Sequence, residues 1–266
     1  MATGRFHDRP SEWGQVVWSL WLNEEIATAT IHRLRFETPL YTVGEAARIL
    51  GVPTTTLSSW VKGYAKAREG RPPVVGAPVV TSFPARRRDD PSIPFVGLAE
   101  AFVLAAMRRA GVALQRIRPA LAELDKRIGV EHALASQRLY TDGAELLFDF
   151  AERHPGDEGE SANDLVVVRN GQRVFKEVIV DYLQQIVYGA DGYASLIRVP
   201  LYEKASVIVD PSRSFGAPIF ERGAVRIDDV LHRFWAGESM QDLADDFRIP
   251  LKDLEDVVRV ASRRAA

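Results

Sequence analysis

Residues 41–64, YTVGEAARILGVPTTTLSSWVKGY, predict two short helices joined by a tight turn. Thr42 and Glu45 have the spacing of a capping box, in which each side chain bonds the backbone amide of the other residue. Gly51 follows the first helix where a left-handed residue commonly ends one. The second helix has apolar residues on one side and small polar residues on the other. This pattern is typical of a helix-turn-helix.

A helix pair of this kind either binds DNA or forms an ordinary hairpin in a protein core. The polar side of the second helix and the arginines that follow it favour DNA binding, with the helix in the major groove and the arginines on phosphate. A solvated loop is the alternative for the arginines. The predicted DNA-binding residues are Thr54, Thr55, Ser58, Ser59, Lys62, Arg86, Arg87 and Arg88.

The charge of the chain is unevenly distributed. The whole protein has a formal net charge of −2. Residues 40–130 contain 14 Lys and Arg against 7 Asp and Glu, a net charge of +7, whereas residues 131–204 contain 7 against 13, a net charge of −6. Of these two segments, only residues 40–130 have a net charge that favours binding to a polyanion.

Composition argues against an enzyme and against a secreted protein. The 266 residues include no cysteine, so disulfides and thiol nucleophiles are excluded. The five histidines are scattered without metal-ligand spacing, and no phosphate-binding loop or nucleophile elbow appears. No apolar run would span a bilayer, and the N-terminus lacks the pattern of a signal peptide. We expect a cytoplasmic protein that is not an enzyme and has no cofactor or metal.

The predicted fold class is α+β, mostly α. A group of apolar residues with three tryptophans, Trp13, Trp18 and Trp21, precedes the helix-turn-helix; it is either a packed helix or an arm that docks on a partner. The predicted domains are an apolar arm at 1–38, a winged helix-turn-helix at 39–129, a β-hairpin middle module at 130–204 and a trihelical domain at 205–266.

Short β-prone runs are expected in two segments. Val74-Val75 and Val79-Val80 predict a hairpin wing that also carries the three arginines. Asp142-Gly143 and Asn170-Gly171 predict two hairpin turns, with an acidic exposed loop at 154–160 between them. The sheet core of this β-rich module is expected to contain Val166, Val168, Val174 and Val178.

The last 62 residues predict strands and then three helices. The strands are Val207–Val209 and a second run within 215–220, and the helices are 227–235, 240–247 and 252–264. Acidic residues are expected on the outer helix faces: Asp242, Asp245, Asp246, Asp253, Glu255 and Asp256. Because carboxylates repel phosphate, protein binding is expected here rather than DNA binding. The predicted partner-binding residues are Trp235, Asp242, Asp245 and Asp246.

Parts of the chain resemble known families. Residues 41–64 resemble the first half of the MerR-type winged helix-turn-helix, and residues 95–121 look like that family's third and fourth helices. The matching residues there are Arg108, Arg109, Gly111, Leu114, Ile117 and Arg118. The order VIVDP (207–211), FGAPI (215–219), Gly237-Glu-Ser and LADDF (243–247) resembles the domain of unknown function 433.

In this order the segments of residues 40–266 resemble VapB-type antitoxins. The resemblance implies a type II toxin-antitoxin pair, in which a PIN-domain-like ribonuclease toxin is neutralised by complex formation and the complex represses its own operon. MerR-type recognition helices often begin with arginine, where this chain has Thr54-Thr55-Thr56, so specific base contacts do not carry over. A free-standing MerR-like regulator with a ligand-sensing middle module is the alternative. A homodimer on operator DNA is expected, because one short helix reads few base pairs.

Overall fold

The computed structural model describes residues 26–68, 71–87, 89–112, 114–169 and 172–265. Over these ranges the chain is a mixture of helices and small sheets, and its apolar side chains form one continuous buried cluster. No helix in the described ranges is long and apolar enough to cross a membrane. Trp13, Trp18 and Trp21 of the predicted arm lie outside the described residues.

The helix-turn-helix has the predicted elements. Residues 26–36 are helical (α1), and α2 (Val43–Leu50) and α3 (Thr54–Lys62) follow. The capping box is confirmed, since the Thr42 amide donates to Glu45 over 2.9 Å and the Glu45 amide donates to the Thr42 hydroxyl over 3.1 Å. Gly51 ends α2 with a φ of 64°. These local rules fix where α2 begins and ends.

A two-stranded antiparallel hairpin follows α3. It consists of β1 (Tyr64–Arg68) and β2 (Arg71–Gly76). The prediction that Val79-Val80 is a strand of this hairpin is wrong, because the Val79 amide donates instead to Trp60 O, at 2.8 Å, and Val79-Val80 packs beside α3. The sequence of β1 lacks β-branched residues and was therefore not predicted as a strand.

The next two helices form the centre of the fold. Helix α4 (Phe95–Arg109) is buried over residues 95–107, and α5 (Leu114–Ile128) packs beside it. Leu121, Leu124 and Ile128 of α5 are buried within the protomer. The apolar positions of residues 114–128 predict a seam between two copies of the chain. For these three residues the prediction is wrong, because their side chains are buried within one chain.

The hairpin predicted around Asp142-Gly143 is wrong. A short 3₁₀ turn (Ala133–Ala135) leads into α6 (Gln137–Arg153), a helix of 17 residues. Its buried side repeats at helical spacing, and Gly143 lies on that side. A Cβ at Gly143 would lie 2.9 Å from Leu139 Cδ1 and 3.0 Å from Phe175 Cζ. The glycine therefore permits close packing rather than a turn.

The rest of the middle segment is more helical than predicted. The acidic loop contains α7 (Asp157–Asn163), and α8 (Glu177–Leu183) follows the hairpin of β3 (Val166–Arg169) and β4 (Gln172–Phe175). This hairpin is confirmed, although its turn at 170–171 lies outside the described residues. Val178 lies in α8, and Val168 is 67% exposed, so neither contributes to a sheet core. The predicted β-rich composition of residues 130–204 is therefore wrong.

One antiparallel sheet spans the position where a domain boundary was predicted. Its strands are β5 (Ile186–Tyr188), β6 (Ala194–Arg198), β7 (Val207–Val209) and β8 (Ile219–Phe220), in the order β5-β6-β7-β8. The sheet thus joins strands from both sides of residue 204. The second C-terminal strand is shorter than predicted, because Ser214–Gly216 forms a 3₁₀ turn.

Three helices complete the chain: α9 (Ile227–Trp235), α10 (Met240–Phe247) and α11 (Leu251–Ala265). Ser239 caps α10, since its hydroxyl accepts the Asp242 amide. The prediction of Asp256 on an outer face is wrong, because the residue is 1% exposed. Its Oδ2 accepts the amides of Lys204 and Ala205, at 2.6 and 3.0 Å. A buried carboxylate held by backbone donors fixes α11 to the loop between β6 and β7.

Candidate nucleic-acid interface and partner surface

The outer side of α3 is short and polar. Thr54, Thr55 and Lys62 are exposed, whereas Ser58 and Ser59 are half-buried. The Ser59 hydroxyl donates to Thr56 O over 2.7 Å, so its hydrogen is engaged within the helix while its oxygen remains an acceptor. The predicted α3 residues therefore lie together on one helix, with the threonines and lysine most accessible.

Two arginines at the end of α4 hold the helix-turn-helix. Arg108 Nη1 donates to Thr56 Oγ1 of α3 over 3.2 Å, and Arg109 Nη2 donates to Leu50 O of α2, also over 3.2 Å. The Arg109 guanidinium also lies 4.9 Å from the ring centroid of Tyr182 in α8. These roles were not predicted, because basic residues in a last helical turn are common and usually only offset the helix dipole.

Arg86 and Arg87 lie on a separate loop rather than on the hairpin. The Phe83 amide donates to Ser92 O over 2.7 Å and closes this loop, and Arg87 N donates to Asp90 over 2.8 Å. Their predicted placement on the wing is therefore wrong, since strand pairing ends at Gly76. Both side chains are exposed, and Arg88 lies outside the described residues. The predicted phosphate contact remains a prediction.

Tyr41 connects the helix-turn-helix to the C-terminal sheet. Its hydroxyl donates to Gly216 O over 2.9 Å, and its carbonyl accepts the Ser92 amide over 2.9 Å. Burial, with the charges of Asp210 and Glu45, raises the pKa of the Tyr41 phenol, which therefore remains a donor at neutral pH. The helix-turn-helix is thus fixed to the rest of the protein at the residue before α2.

The predicted partner surface is only partly available. Trp235 is 58% exposed at the end of α9. Arg233 donates to Glu238 over 2.8 Å and to Asp246 over 2.7 Å, and this guanidinium lowers the pKa of Glu238. The charge of Asp246 is therefore already offset within the protomer.

Among the described residues, the other two predicted carboxylates bond to neutral side chains of their own helix or its cap. Asp242 accepts the Ser239 hydroxyl over 2.6 Å, and Asp245 accepts the Gln241 amide over 3.3 Å. Phe234 and Phe247, the other large aromatic residues of these helices, are partly buried against the core cluster. The surface therefore consists of an exposed tryptophan and two carboxylates that have no ion pair within the described part of the chain.

The described end of the N-terminal arm packs on the body of the protein. Arg35 of α1 is buried, and its Nε and Nη2 donate to Ala194 O over 3.0 and 2.7 Å. Its Nη1 donates to Asp191 over 2.7 Å. Residues 26–33, by contrast, are exposed. The end of α1 thus packs on the body of the protein, whereas the two alternatives for the tryptophan-rich group stay predictions, because its tryptophans lie outside the described residues.

Known proteins are similar to this chain in sequence and in fold. The family described as "Putative DNA-binding HTH domain" matches residues 39–121. "Putative antitoxin VapB45" of Mycobacterium tuberculosis (strain ATCC 25618 / H37Rv) is 48% identical over 231 residues, which cover 85% of this chain and 95% of that protein. "Uncharacterized protein Rv2308" of the same strain is 26% identical over 226 residues, covering 82% of this chain and 88% of that protein. The crystal structure of Rv2018 from Mycobacterium tuberculosis has a TM-score of 0.74 at 45% identity, covering 85% of this chain and 100% of that one.

Proposed function

The chain belongs to the family of VapB45, and on that premise we propose that it is the antitoxin of a type II toxin-antitoxin pair and binds DNA through its helix-turn-helix. The observation that carries the proposal is the 48% identity, which extends over 95% of a protein named as an antitoxin. The matched helix-turn-helix lies on the basic part of the chain and presents the polar side of α3 to solvent. The protein acts in the cytoplasm and is not an enzyme.

In this proposal the DNA-binding unit is a MerR-like winged helix-turn-helix. Helix α3 enters the major groove, the β1–β2 hairpin serves as the wing, and Arg86 and Arg87 contact phosphate from their separate loop. The succession of two helices and a hairpin supports this assignment. The net charge of +7 over residues 40–130 supplies the salt-dependent attraction to DNA. Binding at its own promoter makes the protein a repressor of its operon.

The proposed partner is a PIN-domain-like ribonuclease toxin, bound at the C-terminal helices. A ribonuclease needs a basic surface to hold RNA, and Asp242 and Asp245 offer it the complementary charge. Charge complementarity raises the rate of encounter, whereas an exposed aromatic anchor such as Trp235 supplies much of the affinity. Asp246 contributes less than predicted, because it is already paired with Arg233.

We also propose that the protein binds DNA as a homodimer. Two copies of α3 about 34 Å apart would read half-sites separated by one helical turn. The second copy must pack on a surface other than the buried residues of α5. Light scattering tests the dimer: a monomer at micromolar concentration, both free and on DNA, would contradict it.

The experiment that tests the proposed function uses the product of the adjacent gene. The product of the adjacent gene is co-expressed with the full-length chain described here, which carries an affinity tag. The purified complex is then titrated with DNA from upstream of the operon. The proposal predicts a stable complex that shifts the upstream DNA more strongly than unrelated DNA. Co-purification of no partner would contradict the antitoxin assignment, and equal binding to both DNAs would contradict the repressor assignment.

A further inference from the structure

The buried length of α4 carries one charged residue. Glu100 lies within the run FVGLAEAFVLAAM (95–107), all of which is buried, and Glu100 itself is 5% exposed. Burying a carboxylate is costly unless hydrogen-bond donors and an opposite charge surround it. The groups around Glu100 therefore decide how the chain that faces α4 is held.

The carboxylate of Glu100 bonds the segment that leads from the β1–β2 hairpin towards α4. Its Oε2 accepts the Thr81 amide over 2.6 Å, and its Oε1 accepts the Thr81 hydroxyl over 3.0 Å. Two residues earlier, the Val79 amide donates to Trp60 O of α3 over 2.8 Å. The segment also lies close to the backbone of α4, because a Cβ at Gly97 would clash with Thr81 O. Glu100 thus fastens this segment beside both α3 and α4.

His132 places a titratable cation beside the same carboxylate. Its Nδ1 is 3.0 Å from Glu100 Oε1 and 3.0 Å from Thr81 Oγ1. Within the described ranges, Glu100 forms an ion pair with His132 alone. The backbone of His132 is left-handed, with a φ of 55°, and its carbonyl accepts the Ala135 amide over 2.8 Å. The charge of Glu100 is therefore compensated only while His132 is protonated.

The neighbouring carboxylates also favour the protonated form of His132. The hydrogen bond to Glu100 is the largest influence and raises the pKa of His132, whereas burial lowers it. The negative charges of Glu100, of Glu131 and of Asp125 in α5 raise it further. Their sum holds the pKa of His132 above its ordinary value.

The contact between His132 and α1 is aromatic. The ring centroids of Phe36 and His132 are 5.7 Å apart, and Phe36 also contacts Tyr193 at 5.3 Å and stacks on His32 at 4.6 Å. His32 is exposed, and Arg35 donates to the β5–β6 hairpin. Among the described residues, α1 thus forms no ion pair with His132, and the carboxylates govern its protonation.

We propose that His132 and Glu100 form a pH-sensitive switch, which holds Thr81 against α4 while His132 is protonated and releases it when His132 is neutral. After His132 loses its proton, Glu100 would remain buried without an opposite charge, so opening the segment to water becomes less costly. The segment joins the β1–β2 hairpin to the loop of Arg86 and Arg87, and its release loosens both. The switch itself does not depend on the proposed function, whereas its effect on DNA binding does.

The direction of the pH dependence follows from the raised pKa of His132. A histidine of this kind contributes stability that is fully present below its unfolded pKa of about 6.5, and that is lost as the pH rises through the folded-state value. The Thr81 segment should therefore be most protected in mildly acidic solution and should open more readily in mildly alkaline solution. A hydrogen bond to a charged group is strong enough to change such an opening equilibrium about tenfold.

The test is hydrogen exchange of the full-length chain, measured by mass spectrometry between about pH 5.5 and pH 8.5 and corrected for the pH dependence of intrinsic exchange. Protection of residues 79–83 is expected to fall about tenfold over this range. His132→Gln keeps a donor to Glu100 but does not titrate, and it should remove the pH dependence. His232→Gln, at an exposed histidine of α9, is the matched control and should leave the pH dependence unchanged.

A second measurement does not rely on removing the histidine. Glu100→Gln keeps an acceptor for the Thr81 amide but removes the negative charge. In an NMR titration of the imidazole signals, it should lower the pKa of His132, whose signal is identified by its loss in His132→Gln.

Four results would overturn the inference. Two of them concern the segment: protection of residues 79–83 that is constant across the pH range in the wild type, or a pH dependence that persists in His132→Gln. The third is a pH dependence that is lost in His232→Gln as well, which would place its origin outside the Glu100 pair. The fourth is a pKa of His132 that Glu100→Gln leaves unchanged.

Discussion

Arg108 at the end of α4 donates to the hydroxyl of Thr56 in the first turn of α3, with 3.2 Å between Nη1 and Oγ1. An arginine therefore lies beside the start of α3 although α3 itself begins with three threonines. The guanidinium is supplied by a helix more than 40 residues later in the chain, and only the folded structure brings the two together.

We predict that Arg108→Ala weakens binding to the upstream DNA by about 1–3 kcal/mol, as expected for an arginine that contacts a base or phosphate beside the groove. Arg108→Lys should recover only part of the loss, because lysine cannot make a bidentate contact. The control is Thr56→Val, which removes the hydroxyl that Arg108 bonds but keeps Arg108 itself. Fluorescence anisotropy gives the affinities. Wild-type affinity in Arg108→Ala would contradict a DNA contact by Arg108.

Replacing both Arg86 and Arg87 with alanine should weaken binding to all DNA sequences alike. Each lost phosphate contact is expected to reduce the slope of log K against log salt by about 0.9, so the double variant should lose about 1.8. Ser59→Ala should instead change the preference among sequences, since Ser59 lies on α3. A mobility-shift titration at several salt concentrations measures both effects. An unchanged slope would exclude these arginines from the interface.

Asp256→Ala should lower the free energy of unfolding by about 1–3 kcal/mol, because the amides of Lys204 and Ala205 lose their acceptor. Asp256→Asn retains an acceptor and should cost less. Chemical denaturation followed by circular dichroism measures these differences.

The effect of Asp256 should also depend on pH. Burial by itself would raise the pKa of Asp256, but the two amides and Arg259 hold it below its usual value. A carboxylate with a lowered folded-state pKa contributes stability above its unfolded pKa of about 3.9, and this contribution is lost as the pH falls through the folded-state value. The difference between wild type and Asp256→Ala should thus be constant near neutrality and shrink below about pH 4. A constant difference down to pH 2 would contradict the assignment.

Arg35→Met should release α1 without unfolding the body. The substitution removes three donors to Ala194 O and Asp191, which fasten the end of α1 to the β5–β6 hairpin. Hydrogen exchange measured by mass spectrometry should become faster in residues 26–36 and remain unchanged in α4. Ala29→Ser, at an exposed position on the same helix, is the control. Equal acceleration in both helices would show that Arg35 supports the whole fold instead.

The parts of the fold that sequence predicts well are those governed by neighbouring residues. The capping box of Thr42 and Glu45 and the glycine that ends α2 depend on residues at most a few positions apart, and both are found as expected. The cap of α10 by Ser239 has the same origin. The positive net charge of residues 40–130 and the polar side of α3 are likewise evident from the sequence.

The predictions that are wrong concern positions whose structure depends on residues far away in the chain. Asp142-Gly143 has the composition of a turn, but Gly143 is required because Phe175 packs against it from another element. Asp256 reads as a solvated carboxylate until the backbone of 204–205 is placed beside it. The pairing of Asp246 with Arg233, 13 residues away, and the position of Arg108 beside Thr56 depend on tertiary packing in the same way.

The most direct test of toxin binding is the amount of the adjacent gene's product that tagged versions of this protein retain when the two are co-expressed. Three versions are compared: the wild type, a variant with Trp235→Ala, Asp242→Asn and Asp245→Asn, and a variant with Arg86→Ala and Arg87→Ala. Toxin binding at the C-terminal helices predicts equal retention by the wild type and the arginine variant, and at least about tenfold less by the Trp235 variant. Retention by the Trp235 variant at the wild-type level, or no retention by any version, would contradict it.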